Sequence, residues 1–175
     1  MKLRSTIALG LVLCAVGLSG CVRISHTTQA SEPVKRVYLA SELPSQTVQL
    51  PLNLARAQVL SLMNMQRMAN GRPPMVMDST LTRVAQNYAN DMERRNFFSH
   101  TNPDGLDFGR RIRKAGVTQR KVSENLGKGQ RTPERIVEAW MESVGHRMNL
   151  LARNNRIVGI GRSNDNRWVA VFSGG

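Results

Sequence analysis

Residues 78–105, DSTLTRVAQNYANDMERRNFFSHTNPDG, combine one strongly periodic run with one sharp stop. Leu81, Val84, Ala85, Tyr88, Ala89 and Met92 recur on one face at the helical period, and Asp78 or Ser79 can cap the first turn. The run predicts an amphipathic helix ending near Asn96, which leaves Phe97, Phe98 and His100 just beyond it. Asn102-Pro103-Asp104-Gly105 then reads as a turn, because proline fixes φ and glycine permits a positive one. A histidine between a helix end and a turn is either a working residue or a surface residue. The segments on both sides bear on that choice.

Upstream, Leu54, Ala57, Leu60 or Met63 suit a helix starting near Asn53 and stopping at Asn70-Gly71, before Arg72-Pro73-Pro74. Downstream, a short helix is expected from Phe108 to Lys114, ending at Gly116. Thr132-Pro133-Glu134 is a helix start, with a capping hydroxyl, proline at the first position and an acid near the positive end. Ile136, Val137, Trp140 and Met141 continue it as an apolar stripe, broken at Ser143-Val144-Gly145 before His146. Ile157 to Gly161 and Trp168 to Phe172 are β-rich, with Asn164-Asp165-Asn166 as the hairpin turn between them. Helices first and strands last predict an α+β layered fold rather than a βαβ array. Trp140 and Trp168 are read as core anchors, and Met63, Met65 and Met68 as packing residues.

The chain of 175 residues has room for one domain, and its 41% apolar content excludes wholesale disorder. Its formal charge is +13. The N-terminus, MKLRSTIALGLVLCAVGLSGC, has Lys2 and Arg4, an apolar run from Ile7 to Leu18 and a small-residue cleavage site, so residues 1–20 read as an export signal. The run is shorter than the roughly 20 apolar residues of a membrane span. Leu18-Ser19-Gly20-Cys21 resembles the bacterial lipobox, which makes Cys21 the expected acylation site; the alternative is an ordinary signal that happens to end in cysteine. Cys14 leaves with the leader, so Cys21 would be the only mature thiol and no intrachain disulfide is expected. Residues 21–52, rich in Ser, Thr, Gln and Pro, read as a flexible linker reaching roughly 30 Å, with His26 a solvated part of it. The expected address is a lipid anchor in the outer membrane, facing the periplasm. Nucleic acid is not an expected partner there, and the charge excess points to envelope polyanions. Arg110, Arg111, Arg113, Lys114, Arg120 and Lys121 cluster after Arg94 and Arg95, either as an anion-binding patch or as a solvated face.

Three centres remain as candidates for metal or acid–base chemistry: His100, Glu124 in Ser123-Glu124-Asn125-Leu126, and His146 in Gly145-His146-Arg147. On spacing alone they are either one site or two unrelated histidines. Their surroundings add an ordered set of short motifs: Asn64-Met65-Gln66-Arg67, Leu81 to Ala89, Phe98-Ser99-His100, Glu124-Asn125-Leu126, Trp140, Ser143 to Leu151 and Val158 to Gly161. This set resembles the bacterial branch of the CAP superfamily, the cysteine-rich secretory, antigen-five and pathogenesis-related proteins. The resemblance runs from about Leu54 to Phe172.

It implies, over residues 53–175, an α-β-α sandwich with a central antiparallel sheet and an open cleft. In the family the cleft carries two histidines and two acids, and the histidines can bind zinc or another divalent ion. His100, Glu124 and His146 match three of the four positions. Where many members have the second acid, this chain has Ser143; Glu138 and Glu142 are the nearby candidates, though neither matches the position. Two imidazoles and a carboxylate can hold zinc with an open fourth position, as hydrolytic sites do. A base beside the metal-bound water would still be needed, and no residue stands out for it. Two function classes stay open. One is a non-enzymatic module holding an envelope lipid, glycan or protein, which the lack of a Gly-x-Ser-x-Gly elbow favours. The other is a metal-dependent envelope hydrolase or protease.

Overall fold

The computed structural model describes residues 49–118 and 121–174. The expected leader, Cys21 and nearly all of the linker lie outside the described residues, as does Arg120. The elements run α1 (Leu52–Ala69), β1 (Val76–Met77), α2 (Ser79–Arg94), α3 (Phe108–Lys114), β2 (Val122–Lys128), α4 (Pro133–Glu142), α5 (Val144–Leu150), β3 (Asn155–Arg162) and β4 (Arg167–Gly174).

Local chemistry sets the helix starts. The Asp78, Asp107 and Thr132 side chains accept hydrogen bonds from the backbone N–H groups of Leu81, Arg110 and Arg135, capping α2, α3 and α4. Ser143, expected to interrupt the last helix, instead joins two helices: it ends α4 and begins α5.

The sheet order is β1-β3-β4-β2. β3 and β2 flank β4 antiparallel, as expected, whereas the two-residue β1 runs parallel to β3 and makes the sheet mixed. Alternation along β4 divides the core. Trp168, Ala170 and Phe172 face Ala55, Val59, Met63, Ile136, Trp140 and Leu150 of α1, α4 and α5. Val169 and Val171 face Leu81, Ala85, Tyr88, Met92 and Ile112 of α2 and α3. The result is the expected α-β-α layering. Both tryptophans anchor as expected, with Trp140 Nε1 donating to Leu126 O at 3.0 Å and Trp168 Nε1 to Gln130 O at 2.7 Å.

Two glycines seat α2 on β3. A Cβ at Gly159 would lie 2.0 Å from the Leu81 carbonyl carbon, and one at Gly161 would lie 2.4 Å from that of Ala85. No side chain fits there without displacing helix backbone.

The first helix departs from expectation. Its buried face is Ala55, Val59, Met63 and Arg67, while Leu54, Met65 and Met68 are exposed. The apolar pattern misleads here because a cation occupies the buried stripe. Arg67 has no exposed surface, and its guanidinium donates to the carbonyls of Pro73, Leu150, Ala152 and Asn155. Four carbonyl acceptors compensate the buried charge without an acid.

Candidate functional site

β2 is the edge strand on which the site is built. Its sequence, VSENLGK, shows no apolar alternation, so sequence reading does not anticipate a strand there. Consecutive residues on a strand point to opposite faces. Leu126 packs with α2 and α3, so Glu124, two residues earlier, faces the same layer, and Asn125 faces α5.

Glu124 is a carboxylate with 1% side-chain exposure and two partners. His100 Nδ1 donates to Oε1 at 2.8 Å, and Arg111 Nη2 donates to Oε2 at 2.7 Å. The other amino group of Arg111 donates to His100 O at 3.0 Å and Leu106 O at 2.8 Å, which ties down the loop carrying His100. The guanidinium stacks on Tyr88, 3.2 Å from the ring centroid. Tyr88 OH in turn donates to Ser99 O, next to His100. Burial pushes the Tyr88 hydroxyl up to about 12 against the opposing pull of Arg111, so it stays a neutral donor. His100 is half exposed. With Nδ1–H held by the carboxylate, Nε2 is the nitrogen left for a ligand.

Asn125 organises the second histidine from the other face. Its Nδ2 donates to His146 O at 2.9 Å, and Asn149 Nδ2 donates to Asn125 Oδ1 at 2.9 Å. Asn155 Nδ2 extends the relay to Asn149 O at 2.8 Å. Together these bonds fix α5 against β2. Burial pushes the His146 imidazole below its ordinary range, and the nearby His100 adds to the effect.

The other expected site residues separate. Glu138 pairs with Arg135 at 2.8 Å on the outer side of α4, and Glu142 is exposed at its end. Neither hydrogen-bonds a histidine among the described residues. Trp140 explains why: it points into the core, and positions two before and two after it lie about 200° around the helix. Arg111 is no part of a surface patch, because it lies beneath Glu124 with 11% side-chain exposure. Arg110, Arg113, Lys114 and Lys121 are exposed, with Arg110 3.7 Å from Asp107.

Of the expected metal set, His100, Glu124 and His146, the carboxylate is occupied by other bonds. Both oxygens of Glu124 are engaged by protein donors, and among the described residues no three His, Cys, Asp or Glu side chains group as ligands. Glu124 is arranged as the orienting partner of His100. Tyr88, Arg111, Asn149 and Asn155 have site roles that sequence reading missed, although Tyr88 and Asn149 lie inside the motifs singled out.

Residues 60–173 match the model of the cysteine-rich secretory protein family, CAP. The chain is 36% identical over 119 residues to the uncharacterized protein YkwD of Bacillus subtilis, covering 67% of this chain and 46% of that protein. An extracellular protein containing an SCP domain from Bacillus anthracis superposes with a TM-score of 0.67 at 27% identity, over 71% of this chain and 41% of its own. An outer surface protein of Borrelia burgdorferi shares the fold, with a TM-score of 0.65 at 23% identity over 71% of this chain and 96% of its own. The chain thus spans less than half the length of the two Bacillus relatives. With the family model covering most of the described region, this chain belongs to the cysteine-rich secretory protein (CAP) family.

Proposed function

We propose that this protein is an exported CAP-domain module, anchored through an acylated Cys21 in the outer membrane and facing the periplasm, that holds an envelope ligand at the His100–His146 cleft. The observation that carries the reading is the state of His100. A half-exposed imidazole is fixed by a carboxylate with 1% exposure, and that carboxylate is fixed by an arginine stacked on a buried tyrosine. A surface polar group held this rigidly loses little entropy on meeting a partner, which is the physical meaning of preorganisation. Export is supported by the leader-like N-terminus and by relatives described as extracellular or outer surface proteins. Arg110, Arg113 and Lys121 would add long-range attraction to anionic envelope surfaces. The ligand class is an anionic envelope component or an envelope protein.

A photo-crosslinking residue at the exposed Thr101, introduced into the full chain in its own cells, tests this. One discrete adduct is expected, and it should disappear when His100→Gln is added. An adduct indifferent to His100 would refute the cleft as the binding site.

A divalent ion at the two imidazoles, serving a hydrolase, is the second reading. It is supported by the His100–Glu124 bond, since ligating histidines commonly donate their other ring nitrogen to a carboxylate. The donors on hand supply two imidazoles and no free carboxylate. Zinc should then raise the melting midpoint of the full chain, and His100→Ala or His146→Ala should each abolish the gain. Glu124→Gln should only weaken zinc affinity, by about 10- to 100-fold. An unchanged midpoint at saturating zinc removes this reading.

A further inference from the structure

A concavity lies between α2 and α3, a groove of about 620 Å³. That volume is within the usual range for small-molecule sites. Four cations line it, Arg83, Arg94, Arg111 and Lys114, against the single acid Asp91. Asp91 is already engaged, because it pairs with Arg94 and lies 3.7 Å from Arg95. Among the described residues Arg83 and Lys114 have no acidic partner, and both are exposed. Arg83, Asn87, Asn90 and Arg94 recur at helical spacing, so they form one wall from a single face of α2. Asn90 accepts from Gln86 through Oδ1, which leaves its amide N–H groups as donors. Arg111 contributes a second feature. Its two amino groups are bonded, but its Nε is buried without an acceptor. A buried guanidinium N–H left unpaired is costly.

We propose that the α2–α3 groove binds a phosphate-ester anion. The donors decide the class: cations and amides from two walls outnumber what a planar carboxylate can accept, whereas a tetrahedral oxyanion can accept from both walls together. The site does not depend on what the histidine cleft binds. It touches that cleft through Tyr88 and Arg111, which line the groove and also help to hold His100 and Glu124.

Calorimetric titration of the full chain in non-ionic detergent at about 0.15 M salt tests the proposal, with two probes. One is sn-glycerol 1-phosphate and the other is monomeric dihexanoyl phosphatidylglycerol. The double variant R83E/K114E should bind either probe at least about tenfold more weakly, since charge-assisted hydrogen bonds are the strong ones. The variant R131E/R153E changes the net charge equally at exposed residues flanking α4 and α5, outside the groove lining, and should stay within about twofold of wild type because distant exposed charges are screened. Matching melting midpoints would show that both variants fold. Equal binding of the two probes identifies a soluble phosphate ester, and much tighter binding of the lipid identifies a headgroup; both support the groove. Equal weakening by both variants would reduce the effect to general surface charge and overturn the proposal. So would wild-type binding by R83E/K114E, or no binding of either probe to the wild type.

Discussion

Replacing Arg111 by methionine should be among the most damaging single changes at the site. The side chains of Glu124 and Arg111 are 1% and 11% exposed, so neither charge is screened by bulk water. Removing the guanidinium leaves a buried carboxylate with only the His100 bond, and breaking such a pair from one side costs about 3–5 kcal/mol. The lost bonds to His100 O and Leu106 O add about 1 kcal/mol each. The double variant R111M/E124Q removes both charges while keeping approximate volume. It should recover most of the ion-pair cost, because two neutral groups in place of a buried pair are often near neutral for stability. Urea unfolding of the wild type, both single variants and the double variant closes the cycle, and a coupling energy of about 2 kcal/mol or more is expected. The reasoning fails if R111M costs under about 1 kcal/mol, or if the double variant is no more stable than R111M.

Gly159→Ala and Gly161→Ala should each destabilise by about 3 kcal/mol or more, because each new Cβ meets helix backbone rather than a movable side chain; circular dichroism melts would show it. His146 sets an acid limb: with its pKa lowered in the native state, the unfolded chain binds the proton more readily once pH falls below the ordinary 6.5. Stability should therefore decline as pH drops from there towards the native value, and His146→Gln should flatten that part of a melting-midpoint profile. Cys21→Ser should abolish incorporation of labelled palmitate, and equal labelling of both forms would remove Cys21 as the acylation site.

Much of the architecture was legible because its signals are local. The α2 stripe, the Thr132-Pro133 start and the Asn164–Asn166 turn each depend on residues within a few positions. What escaped was non-local. Arg67 gives no local sign of its burial, because three of its four carbonyl partners come from a segment more than eighty residues away. β2 carries a glutamate and an asparagine that no propensity would place in a buried strand, and it forms because β4 supplies a ladder from Val122 to Lys128. His100, Glu124 and His146 were identifiable through their motifs. The engagement of both Glu124 oxygens was not, since Arg111 sits in a basic run that sequence reading assigns to the surface.

The Glu124-Asn125 pair gives the site its logic. Neighbouring residues on an interior strand would project into two separate cores, with a full layer of sheet between their partners. On an edge strand the two faces meet around the rim. His100 is thus bonded from the α2–α3 side of β2, and the backbone of His146 from the α4–α5 side. Glu124 reaches the first through a side-chain bond, and Asn125 reaches the second through its backbone carbonyl. The difference has consequences. Glu124 sets the orientation of an imidazole directly, whereas Asn125 acts on the backbone of the helix that carries His146. Substitution of Glu124 acts on one ring, while substitution of Asn125 loosens α5 as a whole, because its bonds to His146 O and Asn149 Nδ2 are both lost.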